Sequence, residues 1–383
     1  MNGVVIVGAG LAGSRCAERL RSDGYSGRIR LVGEEPGGPY RRPALSKELL
    51  SGTAALGDLR LRSADWWEET GIELLLGRHV ERIDPEARTA QLRGGVELDW
   101  DVLVIATGSR ARSLASVPSV RGVHSLRSVQ DALGLRRELR RGRRLVVIGA
   151  GFVGTEVAST ASSLGVGVTL VDPNPPLARV LGAEVAVLLA VRYREHGIDL
   201  RAAGLDAVEV EDGAVRSIRL SDGSAVECDA LLVAVGAEPA APDGLGPAHD
   251  GISTDEQGRT AFAGVYACGD VARSHHAGLG RSVRVEHWTD AAAQGAAVAD
   301  AILGLEPPRR ELPFFWSDQF GLRLQYVGHA LEWSSVELDG GPDEFRALYL
   351  DGDGRPLAGL VANRPRELGR LRHDIADALA QAA

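Results

Sequence analysis

One short pattern, present twice, constrains this chain more than anything else in it. Val4 to Gly13 reads VVIVGAGLAG: an apolar strand, a glycine turn and the start of a helix. In such a unit Gly8 permits the tight turn, Gly10 lets the backbone approach a pyrophosphate, and Gly13 lets the helix pack closely on the sheet. The helix N-terminus then presents unpaired N–H groups to the phosphates. Glu34 follows a second apolar run, Ile29 to Val32, and stands where a carboxylate accepts hydrogen bonds from a ribose. Its neighbour Glu35 is the weaker candidate.

Leu145 to Asp172, LVVIGAGFVGTEVASTASSLGVGVTLVD, restates the pattern. Gly149, Gly151 and Gly154 copy the glycine spacing, and Asp172 stands where Glu34 stood. Two dinucleotide folds imply two dinucleotides, so the expected class is α/β with two Rossmann-like dinucleotide-binding units. A carboxylate at Asp172 accepts from a 2′-hydroxyl and repels a 2′-phosphate, and Pro173, Asn174 and Pro175 supply no arginine. If the second fold takes the nicotinamide cofactor, NADH is favoured over NADPH.

The length of 383 residues leaves room for two or three domains. A net charge of −9 argues against a nucleic-acid partner held by overall electrostatics. The first strand starts almost at Met1 and no long uncharged apolar run follows, so a soluble, cytoplasmic chain without a membrane segment is expected. Cys16, Cys228 and Cys268 are scattered, with no C-x-x-C or C-x-x-x-x-C pair. Lys47 is the only lysine, which suggests that arginine would not serve at that position.

Between the two patterns lies a long loop, Pro36 to Gly52, leading into a short helix near Leu45. Such insertions wrap ligands, and this one gathers Arg41, Arg42 and Lys47; the alternative is a solvated basic loop. Ile72 to Leu98 reads as short strands with a Gly94-Gly95 hairpin, and Asp101 to Ser109 as a strand whose tip lies at the carboxyl end of a parallel sheet. The run Arg136 to Arg144 predicts a solvated helix face, with a docking surface as the alternative. Leu231 to Pro239 reads as one further strand. Val265 to Asp270 is another, with Asp270 either binding a ribityl hydroxyl or capping a helix over Val271 to Arg273. Thr289 to Leu303 is helical, Pro307-Pro308 marks a linker, and Phe314 to Gly328 begins a strand-rich C-terminal domain. His275 and His276 are adjacent and point apart, with no further ligand at suitable spacing, so no metal site is expected.

The motifs GAGLAG, PYRRPALSKELL, VIATGS, GAGFVGTEVA, VAVGAEP, YACGD, EHWTDAAAQG and FFWSDQ occur in that order. In them the chain resembles, nearly end to end, the oxygenase-coupled NADH-dependent ferredoxin reductases, a putidaredoxin reductase-like family of glutathione-reductase-like flavoproteins. The resemblance implies an FAD domain from residues 1–107 and 237–306, an NAD domain inserted at 108–236, and an α+β C-terminal interface domain at 307–383. It assigns Gly8, Gly10, Ala12 and Gly13 to the FAD pyrophosphate, Glu34 to its ribose and Val80 to the adenine end. Lys47 falls beside the reactive flavin nitrogen with Arg42 near it, and Ala106, Arg127, Gly236, Asp270 and Trp288 are further cofactor positions. In the second fold Gly149, Gly151, Gly154 and Asp172 would bind NADH, and Glu156 would position the nicotinamide. Trp316 either shields the flavin edge or packs in the last domain; with Lys47 and Glu156 it completes the expected reaction centre.

The family's activity is hydride transfer from NADH to FAD, then single-electron transfers to an iron–sulfur ferredoxin that serves a cytochrome P450 or Rieske oxygenase. Related disulfide reductases and peroxidases need cysteine beside the flavin, whereas the equivalent loop here reads Pro43-Ala44-Leu45-Ser46. Rubredoxin reduction, and a signalling flavoprotein resembling apoptosis-inducing factor, are the alternatives. Monomer and homodimer are both compatible with the sequence.

Overall fold

In the computed structural model, which describes residues 3–382, three five-stranded sheets carry the chain. The first is parallel, in the order Val265–Ala267, Val102–Ile105, Val4–Val7, Ile29–Gly33, Ile72–Leu76. Val4–Val7 sits at its centre and is buried on both faces, which is why it is apolar throughout rather than alternating. Helix α1 (Leu11–Ser22) follows it and returns the chain to Ile29–Gly33, in register Val4 to Ile29.

The second sheet repeats that plan in the order Asp199–Arg201, Gly167–Val171, Arg144–Ile148, Ala230–Val233, Val123–His124. Its central strand leads into helix α2 (Phe152–Ser163), and α3 (Ala178–Glu195) follows the next strand. Helix α4 (Trp288–Ile302) then returns to the first unit and lies against α1. The close contact falls at Gly295, where a Cβ would come within 2.2 Å of the Ala12 carbonyl oxygen. Ser109–Ala111 and Ala237–Pro239, the stretches leading into and out of the second unit, pair as an antiparallel ribbon.

The third sheet is antiparallel, in the order Phe314–Gln319, Leu322–Gly328, Pro356–Ala362, Glu344–Leu350, Ser335–Gly341. Helix α5 (Pro365–Ala382) covers one face through Leu371 and Ile375. The other face is continuous with the core of the second unit. Tyr193 on α3 meets Phe320 at 4.5 Å between ring centroids, and the Tyr349 hydroxyl donates to the Leu181 carbonyl at 2.9 Å.

Three sequence expectations change. Leu231 to Pro239 is not one strand: the sheet strand Ala230–Val233 ends, and Gly236, at φ +104°, turns the chain into Ala237–Pro239. The arginine run is not one helix face, because its helix, Val129–Glu138, ends before Arg143 and Arg144. Arg144 opens the central strand of the second sheet and pairs with Glu227 and Asp229. No helix runs over Val271 to Arg273 either; Asp270 and Val271 belong to a single 3₁₀ turn, Gly269–Val271, and Ala272 and Arg273 open the strand Ala272–His276.

A buried ion pair secures the chain as it leaves the first unit for the third sheet. Arg310 donates twice to Asp290 on α4, at 2.7 and 3.0 Å, and once to Ser274 at 2.7 Å. Asp290 also accepts from Gln294 at 2.6 Å, whose amide oxygen takes the Gly269 N–H at 2.9 Å. The paired side chains keep only 9% and 4% of their surface exposed, so removing one partner strands a charge away from water. Arg310→Ala is therefore expected to destabilise the protein by about 3–5 kcal/mol, measured as a lowered unfolding midpoint; an unchanged midpoint would contradict the role given to this pair.

Candidate functional site

The two glycine turns have the same construction. Gly8 adopts φ +117°, and a Cβ there would lie 2.1 Å from the Ala106 carbonyl oxygen; at Gly149 the values are +100° and 2.4 Å from Ala234. Neither position admits any other residue, on backbone strain and on space. Gly13 and Gly154 are excluded by the carbonyls of Gly8 and Gly149, at 2.0 and 2.1 Å. Gly10 and Gly151 differ, since a Cβ on either would meet nothing within 4 Å. They face open space at the N-termini of α1 and α2, neither of which has a side-chain cap. Each turn thus leaves a cradle at the positive end of a helix dipole, the arrangement that receives a pyrophosphate.

The first cradle opens into a cleft of about 1420 Å³, well above the roughly 300–1,000 Å³ of a typical small-molecule pocket. Gly8, Gly10, Ala12, Glu34, Arg42, Lys47, Val80, Ala106, Arg127, Glu156, Asp270, Trp288 and Trp316 all line it. Gly13 lies behind the turn. Gly149, Gly151, Gly154, Asp172 and Gly236 stand outside the cleft, and the second unit reaches it through Phe152, Val153 and Glu156 on α2.

At one end of the cleft, Glu34 meets His79 Nδ1 at 3.1 Å and leaves 66% of its side chain exposed. Glu35 is engaged internally, accepting from the Tyr40 hydroxyl at 3.0 Å, Arg42 at 2.9 Å and the Val129 N–H at 3.2 Å. Arg42 also donates to the Arg127 carbonyl. Asp270 accepts from Arg127 at 2.9 Å and from the Ser109 hydroxyl at 3.0 Å. The loop before Lys47 is not a solvated basic excursion, because Tyr40, Ala44, Leu45 and Leu49 are buried in their own apolar cluster.

At the centre of the site two residues 109 positions apart in sequence come into contact. Lys47 Nζ lies 2.7 Å from Glu156 Oε2, which also accepts from the Ser46 hydroxyl at 2.6 Å. Trp316 is half-buried and stacks on Phe314, with centroids 6.4 Å apart. Phe315 packs edge-on against Phe152 at 4.7 Å and lies 4.8 Å from His287.

In the second unit, Asp172 Oδ2 accepts the Ala150 N–H at 3.0 Å and Oδ1 the Asn174 N–H at 2.9 Å. The carboxylate ties the glycine turn to the end of its neighbouring strand, and its remaining lone pairs can take ribose hydroxyls. With the Asn174 amide in its hydrogen-bonding orientation, its oxygen accepts from Arg179 Nε at 3.0 Å. Arg179 lies seven residues past Asp172, and the turn into α3 brings it against Asn174, two residues after that carboxylate, so the second unit does carry an arginine nearby. Cys16, Cys228 and Cys268 are all buried free thiols, and burial pushes each well above the ordinary thiol range, away from the reactive thiolate.

His287 was not singled out by sequence, yet it lines the cleft and burial lowers its imidazole from 6.5 to about 4. The unfolded ring takes up a proton near 6.5 and the folded ring does not, so stability falls as pH drops from there to about 4. The loss is up to about 3 kcal/mol. His287→Asn is expected to retain more of its stability than the parent between pH 7 and pH 4, read from unfolding midpoints; identical acid-side losses would contradict the assignment.

A family model described as pyridine nucleotide-disulphide oxidoreductase matches residues 2–295, and one described as reductase C-terminal matches 314–382. The anthranilate 1,2-dioxygenase system ferredoxin–NAD(+) reductase component of Burkholderia cepacia is 38% identical over 382 residues, covering 97% of this chain and 93% of that protein. Rhodocoxin reductase of Rhodococcus erythropolis is 37% identical over 333 residues, covering 85% and 78%. The crystal structure of the covalent putidaredoxin reductase–putidaredoxin complex superposes with a TM-score of 0.93 at 35% identity, covering 98% of this chain and 93% of that one. With the matched glycine cradles and the shared cleft, these similarities make the chain a member of the pyridine nucleotide-disulphide oxidoreductase family, of the kind that carries a reductase C-terminal domain.

Proposed function

We propose that this protein is an FAD-dependent NADH:ferredoxin reductase, passing electrons one at a time to a [2Fe–2S] or similar ferredoxin that supplies a cytochrome P450 or Rieske oxygenase. The observation that carries it is the meeting of Lys47, from the loop of the first unit, with Glu156, from the helix that begins at the second cradle. The relatives' names support the acceptor: one is a ferredoxin–NAD(+) reductase component of a dioxygenase system, and another structure is a reductase joined to putidaredoxin.

FAD, when bound, converts a two-electron hydride into single-electron steps. The chain's own residues hold and orient. The Gly8–Gly13 turn and the N-terminus of α1 receive the FAD pyrophosphate, with Glu34 at the ribose and the Arg127–Asp270 pair further along the cleft. The second turn and Asp172 receive NADH. Lys47 places a fixed cation in the cleft, which favours negative charge developing on reduction. Glu156 holds that cation from the helix that begins at the second cradle. Phe152, Phe315 and Trp316 give the cleft apolar walls that exclude water.

The division at 107/108, 236/237 and 306/307 belongs to the same proposal, supported by the ribbon joining Ser109–Ala111 to Ala237–Pro239. A cytoplasmic location also belongs to it; among the described residues no helix is long and apolar enough to cross a membrane.

The purified protein is expected to be yellow, to be bleached by NADH, and to reduce cytochrome c only when a ferredoxin is added. Reduction without ferredoxin, or a strong preference for NADPH, would contradict the proposal. Asp172→Ala is expected to raise the KM for NADH about tenfold by removing a half-buried acceptor, and to narrow the advantage over NADPH. Steady-state rates with both coenzymes measure this, and an unchanged ratio would remove Asp172 from the coenzyme site.

A further inference from the structure

Lys47 and Ser46 engage only one oxygen of the Glu156 carboxylate. The other, Oε1, accepts the Ser317 hydroxyl at 2.6 Å, from the first strand of the C-terminal sheet. Ser317 Oγ in turn accepts from Gln319 Nε2 at 3.1 Å, and Gln319 Oε1 accepts the Tyr193 hydroxyl from α3. Ser317, Gln319 and Tyr193 are 1%, 3% and 0% exposed.

The direction of this chain of bonds follows from chemistry. A carboxylate only accepts, so Ser317 must spend its single proton on Glu156. Its lone pair then takes a donor from the Gln319 amide, which leaves the amide oxygen for Tyr193. Reversing the amide would draw the Ser317 proton toward Gln319 and leave Oε1 without a donor. Both serine bonds have the short length typical of a hydroxyl donating to a charged acceptor.

Burying three polar side chains in an otherwise apolar seam is costly unless each is satisfied, and here each is satisfied by the next. They sit beside Phe320, Tyr326 and Tyr349, where aliphatic residues would pack the seam without any such requirement. On the strand, alternate residues face opposite ways, so Ser317 reaches inward to Glu156 while its neighbour Trp316 lies on the other face with Phe314. A single peptide unit therefore connects the brace to a wall of the cleft.

We propose that Ser317 is a positioning residue for the reductase reaction: anchored by Gln319 and Tyr193, its hydroxyl holds Glu156 against Lys47, so the C-terminal sheet sets the geometry of the reaction centre. This rests on the assignment of Lys47 and Glu156 to the place where nicotinamide and flavin meet. Without the hydroxyl, Oε1 loses its donor, the carboxylate is free to turn, and Lys47 turns with it.

The test compares FAD-loaded wild type, Ser317→Ala, Glu156→Gln and the double variant by anaerobic rapid mixing with NADH, following flavin absorbance. Ser317→Ala is expected to slow flavin reduction about tenfold at saturating NADH while leaving the apparent dissociation constant within about twofold. In the Glu156→Gln background the same substitution is expected to have no further effect, because Ser317 acts through Glu156. Gln319→Met, which removes the anchor and leaves Ser317 in place, is expected to slow reduction about threefold and keeps the claim testable if Ser317→Ala fails to fold.

A second readout needs no NADH. Lys47 is the only lysine, so its acylation by an amine-reactive reagent can be followed by peptide mass, and it is expected to be faster in Ser317→Ala. Wild-type reduction and acylation rates in Ser317→Ala would overturn the role, as would a slowing that multiplies in full onto that of Glu156→Gln. A wild-type flavin that NADH does not bleach would overturn the functional assignment instead, and the acylation rates would then decide whether the brace exists.

Discussion

A carboxylate can leave water only where donors replace it, and at Glu156 those donors come from distant parts of the chain. Ser46 and Lys47 reach it from the loop of the first unit, and Ser317 from the third sheet, while the residue itself sits in the second turn of α2. The position of α2 therefore fixes two things together. Its N-terminus is the second cradle, and its inner face holds the ion pair in the cleft of the first. Breaking such a pair costs more than never having made it, because the survivor is left charged and unpaired. That asymmetry locks the three units to one another at the point where the proposed function brings the two cofactors together.

Apolar packing supports the same arrangement. One continuous cluster runs from the second unit into the third sheet, through Leu181, Tyr193, Phe320 and Tyr349. On the opposite side, α4 presses on α1 at Gly295, and Arg310 ties Asp290 to the segment that leads into the third sheet. The third sheet is thus held both from α3 and from α4. Its first strand, in contact with α2 and α4, carries Trp316 along the cleft.

What sequence disclosed follows the range of the forces involved. The glycine turns were legible because the constraint is local: Gly8 and Gly149 admit no Cβ whatever the rest of the chain does. Spacing alone favoured Glu34 over Glu35; in the structure Glu35 is taken up by Tyr40, Arg42 and Val129, whereas Glu34 stays 66% exposed. The contacts of Ser317 with Glu156 and of Arg310 with Asp290 were not legible. They join residues from different elements, and nothing in the local pattern distinguishes a serine that braces a carboxylate from one on a sheet face. Arg179 was not legible from the residues directly after Asp172, because the turn into α3 brings it back against Asn174 from further along the chain. The arginine run misled for the opposite reason: its local pattern continued, but the sheet claimed Arg144 for its central strand.

The most direct measurement is a crystal structure of the FAD-loaded protein with NAD⁺ bound. The expected result places the FAD pyrophosphate at Gly10 and the N-terminus of α1, and the flavin ring beside Lys47. The nicotinamide should lie against that ring at Glu156, with its own pyrophosphate at Gly151. Electron density that placed the flavin away from Lys47, or the NAD⁺ pyrophosphate away from Gly151, would contradict the assignment of the two cradles.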